Sequence, residues 1–161
     1  MKNKTLARIA IFSSLALIFG YIESLFPMPL PIYGAKVGIS NIVILSSLYL
    51  LSTPLSWGIM LIKTFTSSLL FSSFSAFLYS VSGGFFSVLI MSILKKTKKF
   101  SIIGISIAGG VTHNLGQLVI AAIFLKNLNI FYYLPILVIM GIISGGVIGI
   151  ISNIIIKRFS N

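Results

Sequence analysis

Residues 134–156 read LPILVIMGIISGGVIGIISNIII, 23 residues without a charge, and the run stops against Lys157 and Arg158. About 20 apolar residues carry one helix across the hydrocarbon core of a bilayer, so this stretch reads as a membrane span with a basic flank. Working outward from it, runs of the same kind recur at Leu6 to Phe26, Val37 to Leu51, Leu55 to Ser72, Phe74 to Leu94 and Ser101 to Leu125. Six runs within 161 residues leave room for short connections only. The expected fold is therefore all-α: one integral membrane domain, residues 1–161, built as a polytopic bundle of six transmembrane helices. Composition agrees, with 57% hydrophobic and 8% charged residues where soluble domains carry roughly 25% charged.

The breaks between runs refine this. The second and third runs are short for full crossings and only Ser52-Thr53-Pro54 separates them; because proline disfavours helix at the residue before it, they read as a close helical hairpin. The stretch Pro27-Met28-Pro29-Leu30-Pro31-Ile32-Tyr33-Gly34 cannot be helical, since alternate prolines remove donors and fix an extended backbone. Six spans put both termini on one side. With that side cytoplasmic, it holds Lys2, Lys4, Arg8, Lys95, Lys96, Lys98, Lys99, Lys157 and Arg158, nine of the twelve cations, against Lys36 and Lys126 outside, as the positive-inside rule requires. The first run lacks a small-residue cleavage site and is interrupted by Glu23, so it is expected to be retained as a span rather than removed as a signal peptide. The expected location is the cell membrane, with multiple passes.

Composition also removes whole classes of chemistry. Glu23 is the sole acid, Asp and Cys are absent, and His113 is the one histidine. Paired-carboxylate hydrolysis, aspartate-held magnesium and cysteine-built metal sites are excluded, and the chain is expected to be no enzyme, with no metal and no intrinsic cofactor. The cations stand in clusters between apolar runs, with no basic stripe interleaved with aromatics, so nucleic acid is not an expected partner. No Gly-Lys-Ser phosphate loop occurs, so any use of ATP would come from another chain. Gly141, Gly145 and Gly149 stand four apart, and Ala76, Ser80, Gly83, Gly84 and Ser87 share a face; such stripes let helix backbones approach closely in lipid.

Polar side chains at membrane depth cost free energy unless they are partnered or face a cavity, which makes the few present here candidates for function. Glu23 falls near the outer end of the first run, Lys36 and Asn41 follow the proline segment, Lys63 lies near the middle of the third run, and His113, Asn114 and Gln117 lie in the fifth. All of them fall between mid-membrane and the outer surface, as one polar pocket would require. Lys63 needs either Glu23 as an ion-pair partner or an anion, and His113 suits an interhelical hydrogen bond as well as a ligand. His113 and Gln117 share a helix face with Gly109 and Gly110 close by, an arrangement with room for something flat. Two lysines and a histidine against one glutamate favour an anionic ligand, phosphate or carboxylate. Tyr21, Tyr33, Phe74, Phe77 and Tyr79 could add flat apolar surface, although interfacial aromatics more often anchor a protein in the membrane.

Four segments form a recognisable set: Tyr21-Ile22-Glu23-Ser24-Leu25-Phe26-Pro27, Gly34-Ala35-Lys36-Val37-Gly38-Ile39-Ser40-Asn41, Gly104-Ile105-Ser106 and His113-Asn114-Leu115-Gly116-Gln117. Together with Tyr133-Leu134-Pro135 they resemble the Gx transporter family, also described as heptaprenyl diphosphate synthase component I. That family is similar in fold to the six-helix substrate-binding subunits of energy-coupling factor vitamin transporters. The resemblance implies a small-molecule pocket near the outer side. It points to a flavin nucleotide, FAD or FMN, moved across the membrane for proteins that carry covalent flavin. By motif position it implies that Glu23, Lys36, Asn41, His113, Asn114 and Gln117 face the ligand, with Lys63 where the family commonly has a basic residue. The partners it implies are the lipid bilayer, an ATP-driven energising module, or a second copy of the chain. Ala7, Ala10 and Ser14 in the first run give only a degraded form of the small-residue pattern that docks such a module. Two alternatives stand beside flavin transport: a vitamin-uptake binding subunit, and a non-catalytic membrane accessory subunit of a prenyl diphosphate synthase. Without Asp to hold magnesium on a diphosphate, the chain cannot be the catalytic subunit of such a synthase.

Overall fold

A computed structural model describes residues 2–25, 38–71 and 73–159. Among them the chain forms α1 (Lys2–Leu25), α2 (Asn41–Leu50), α3 (Thr53–Phe71), α4 (Phe74–Thr97), α5 (Ile102–Leu125) and α6 (Leu134–Phe159), with a 3-10 segment at Leu128–Tyr133 ahead of α6. No strand occurs among these residues, as expected of an all-helical membrane chain. Local chemistry sets the boundaries of α4 and α5. The Ser73 and Ser101 hydroxyls accept from the amides of Ala76 and Gly104 at 3.3 and 3.1 Å, satisfying donors that a helix start leaves open. Lys98 and Lys126 close the two helices in the left-handed conformation typical of a C-terminal stop.

Among the described residues, two of the six expected spans, those of the second and third runs, are not among the helices of membrane-crossing length and hydropathy. Four helices are long and apolar enough to cross a membrane: Asn3–Leu25, Phe74–Thr97, Ile102–Leu125 and Leu128–Phe159. The second run does not become a span. Its helix begins at Asn41 rather than Val37 and has 10 residues, about 15 Å of rise and half of a bilayer core. Gly38 sets this late start: its φ of +79° is a conformation that side-chain-bearing residues rarely adopt. The amides of Asn41, Ile42 and Val43 then bond back three residues, to Gly38, Ile39 and Ser40, so the helix opens with a tight turn.

This half-length helix is the axis of the bundle. All seven residues from Ile42 to Leu48 are buried, the pattern of a helix enclosed on every side. It touches α1, α3, α4 and α6, while α1 packs on α3, α3 on α4, α4 on α5 and α5 on α6. Serines tie the axis to its surround: Ser47 Oγ donates to Ser56 Oγ of α3 at 2.9 Å, and Ser152 Oγ of α6 donates to the Ile42 carbonyl at 3.3 Å. Leu45, Leu48, Met60, Val88 and Ile105 fill the space between. The outside of the bundle is apolar, with Leu6, Ile18, Leu69, Ile143 and Ile154 all more than half exposed, a surface suited to lipid rather than water.

The expected glycine stripe carries the α5/α6 contact. A Cβ placed on Gly141, Gly145 or Gly149 would come within 2.7–2.8 Å of the Cα of Val111, Ile107 or Ile103, so the two helices run antiparallel at backbone contact.

Lys95, read from the sequence as a flank charge, closes the far end of α2. Its ammonium donates to the Leu48 carbonyl and stands 4.9 Å from the centre of the Tyr49 ring. A cation there satisfies a carbonyl of the last turn and opposes the negative end of the helix dipole. Lys95→Met, which keeps the stem and removes the charge, is expected to cost about 1–2 kcal/mol, read by equilibrium unfolding in mixed micelles; Lys96→Met, whose parent side chain is exposed, should cost less than ~0.5 kcal/mol.

Candidate functional site

The start of α2 lies inside the bundle, and the acid meets it there. Glu23, two residues before the end of α1, is 7% exposed, and its Oε1 accepts the backbone N–H of Gly38. Helix starts present N–H groups without intrahelical partners and carry the positive end of the helix dipole, so a carboxylate at this position is favoured by both. Lys63 of α3 approaches the same region, its Cε 3.7 Å from where a Cβ on Gly20 would lie, one turn before Glu23. Lys36 lies outside the described residues, as do Tyr33 and the proline segment.

Asn41 occupies the first position of α2 and borders a small enclosed space with Ser87 of α4 and Ser106, Gly109 and Gly110 of α5. That space is about 10 Å³, room for about one water. One and two turns further along α5 from Gly109, His113 and Gln117 face α4 across Gly83: a Cβ on Gly83 would lie 2.9 Å from both side chains. Asn114 turns the other way. It is buried, and its Nδ2 donates to the Leu137 carbonyl of α6 at 2.8 Å, the interhelical bond by which polar groups hold membrane helices together. Glu23, Lys63 and Asn41 thus gather around the start of α2, His113 and Gln117 lie between α4 and α5, and Asn114 lies between α5 and α6.

The glycines beside these groups do not make room for a flat ligand. A Cβ on Gly109 would meet Met91 at 2.7 Å, and one on Gly110 would meet the Gly141 carbonyl oxygen at 2.5 Å, so neighbouring helices already occupy the space. Of the aromatic residues, Tyr79 is buried, Phe74 is 71% exposed and Tyr21 is exposed; Phe77 meets Phe65 edge to face and Phe74 at a tilt, at centroid distances of 6.2 and 6.3 Å. The sequence put Ser87 on a packing face and gave Ser40 and Ser106 no polar role of their own. Ser40 is 1% exposed at the N-cap of α2, and its hydroxyl has no hydrogen-bond partner among the described residues. Serine is common at helix contacts in membranes, so nothing in the sequence separates these three from packing residues.

A membrane-type helical bundle with a half-length helix starting in its interior is the class that this architecture defines. Within it the chain belongs to the heptaprenyl diphosphate synthase component I family, whose sequence profile matches residues 12–155. No curated protein and no solved structure matches the chain.

Proposed function

We propose that the chain binds and translocates an anionic, phosphate-bearing small molecule within the membrane, with a flavin nucleotide, FAD or FMN, as the first ligand to test. The observation that carries this reading is the buried N-terminus of α2 with Glu23, Asn41 and Lys63 about it. Half-helices that begin inside a bundle aim backbone donors and a positive dipole end at anionic groups, as discontinuous helices do in many transporters. Lys63 and Lys36 supply the charge for the phosphates; Asn41, His113 and Gln117 supply hydrogen bonds to the remainder. The enclosed space at Asn41 holds about one water, so admitting a nucleotide requires the helices around α2 to part. Asn114 then acts by tying α5 to α6 during that movement. The nine cations at one end of the bundle support both termini on the cytoplasmic side of the cell membrane with α2 and α3 entering as a hairpin.

A second reading is favoured by the family's description: a non-catalytic membrane subunit that works beside a prenyl diphosphate synthase. Its ligand shares the phosphate chemistry, and the lack of Asp leaves magnesium-dependent elongation to a partner chain. One experiment separates the readings. Small molecules released from the detergent-purified protein are identified by absorbance and mass spectrometry, beside a Lys63→Ala variant. Flavin present in the parent and reduced at least tenfold in the variant is the expected result. A colourless preparation that also fails to bind added FAD or FMN overturns the flavin assignment, and a bound prenyl diphosphate in its place would establish the second reading.

A further inference from the structure

Between α1, α2 and the end of α6 runs an open groove of about 490 Å³ whose lining includes Arg8, Phe12, Phe19, Ser46, Leu50 and Phe159. The groove has a direction. Ala16 of α1 and Val43 of α2 pack in one cluster, and Glu23, further along α1, meets Gly38 ahead of α2, so the two helices run antiparallel. Arg8, two turns before Ala16, therefore comes at the Leu50 end, and the phenylalanines lie deeper. Lys4 precedes Arg8 by one turn on the same face of α1, and Lys157 and Arg158 adjoin Phe159, so one end of an apolar channel is ringed by four exposed cations. Ser46 sits about one turn deeper than Leu50, buried, and its hydroxyl has no hydrogen-bond partner among the described residues.

We propose that this groove is a binding site for an anionic diacyl phospholipid, its phosphate at Arg8, an ester carbonyl at Ser46 and an acyl chain along Phe12 and Phe19. Charge complementarity selects the headgroup, since basic pockets between membrane helices bind anionic lipid heads. The unpartnered hydroxyl selects the ester. A phospholipid carries its carbonyls just below the phosphate, at the depth where Ser46 follows Arg8, and burial without a partner would otherwise cost the hydroxyl its hydrogen bonds. This site lies on the flank of the bundle, is lined by none of the residues assigned to the proposed cargo, and stands whether or not that assignment does.

The full-length chain is reconstituted in vesicles of equal parts phosphatidylglycerol and phosphatidylcholine, extracted into mild detergent, and its retained lipids are counted by native mass spectrometry. Phosphatidylglycerol should be retained over phosphatidylcholine by about fivefold for each cation engaged. Arg8→Gln should lower that preference about fivefold, whereas Arg8→Lys should keep most of it. Ser46→Ala should weaken retention of ester-linked phosphatidylglycerol several-fold and leave its ether-linked analogue unchanged. Size-exclusion profiles of the variants matching the parent establish that they fold. Equal retention of the two lipids, an unchanged preference in Arg8→Gln, or a groove covered by a second copy of the chain with no lipid retained would each overturn the proposal.

Discussion

Gly110→Ala is expected to destabilise the bundle by about 3 kcal/mol, while the same change at Gly146 costs nothing measurable or stabilises slightly. The two glycines are both helical, yet their surroundings differ. A Cβ on Gly110 would lie 2.5 Å from the Gly141 carbonyl oxygen and 3.2 Å from the Gly145 Cα, both backbone atoms that no rotamer change can move aside. The methyl group can be admitted only by separating α5 from α6. That separation opens the whole seam, because Gly141, Gly145 and Gly149 hold the α5 backbone at similar distances, and it stretches the 2.8 Å bond from Asn114 to the Leu137 carbonyl. Overpacking of a close contact typically costs 1–3 kcal/mol, and the upper end applies where the clash is with backbone. Nothing lies within 4 Å of a Cβ on Gly146, so the better helix propensity of alanine acts there without opposition. Equilibrium unfolding of both variants in the same micelles reads the difference. Equal stabilities would show that the α5/α6 seam is not the close-packed contact described above.

The positions of α4, α5 and α6 were legible from hydropathy alone because each long uncharged run ends at a charge, a serine cap or a proline, and these are local. The length of α2 was not. Val37 to Leu51 carries no charge and no proline, and what decides where its helix begins is the positive φ at Gly38 and a carboxylate 15 residues earlier in the chain. Lys95 shows the same limit: it belongs to a cluster that reads as a solvated flank, and its partner carbonyl is 47 residues away. Gly109 and Gly110 are neighbours in sequence, yet about 100° of helical rotation sends the first toward Met91 of α4 and the second toward Gly141 of α6. Depth was the most useful clue to the polar residues. It put Glu23, Lys36, Asn41, Lys63, His113, Asn114 and Gln117 in one polar pocket, but could not say that His113 and Gln117 lie between α4 and α5 or that Asn114 faces a helix backbone rather than its polar neighbours.

Glu23 should give the largest effect on ligand affinity, and its sign is informative. The carboxylate already stands where an anion would bind, at the N–H of Gly38 ahead of α2. An anionic ligand drawn to the same helix start meets it as a like charge; at about 6 Å and an effective dielectric near 20, that repulsion is of the order of 2–3 kcal/mol. Glu23→Gln keeps an oxygen to accept from Gly38 and removes the charge, so it is expected to tighten binding of the anion at least tenfold while changing stability by less than ~1 kcal/mol. Glu23→Ala removes the acceptor as well, leaves a buried N–H without its partner, and should cost about 2 kcal/mol of stability. Titrating each variant with FAD and FMN, beside unfolding measurements, separates the two roles. Tighter binding in Glu23→Gln would mean that the carboxylate is an internal stand-in for the cargo's phosphate, so that loading the site requires Glu23 to leave the start of α2. Weaker binding would mean instead that the carboxylate touches the uncharged part of the ligand, and the phosphates would then have to lie deeper in the bundle, toward Lys63.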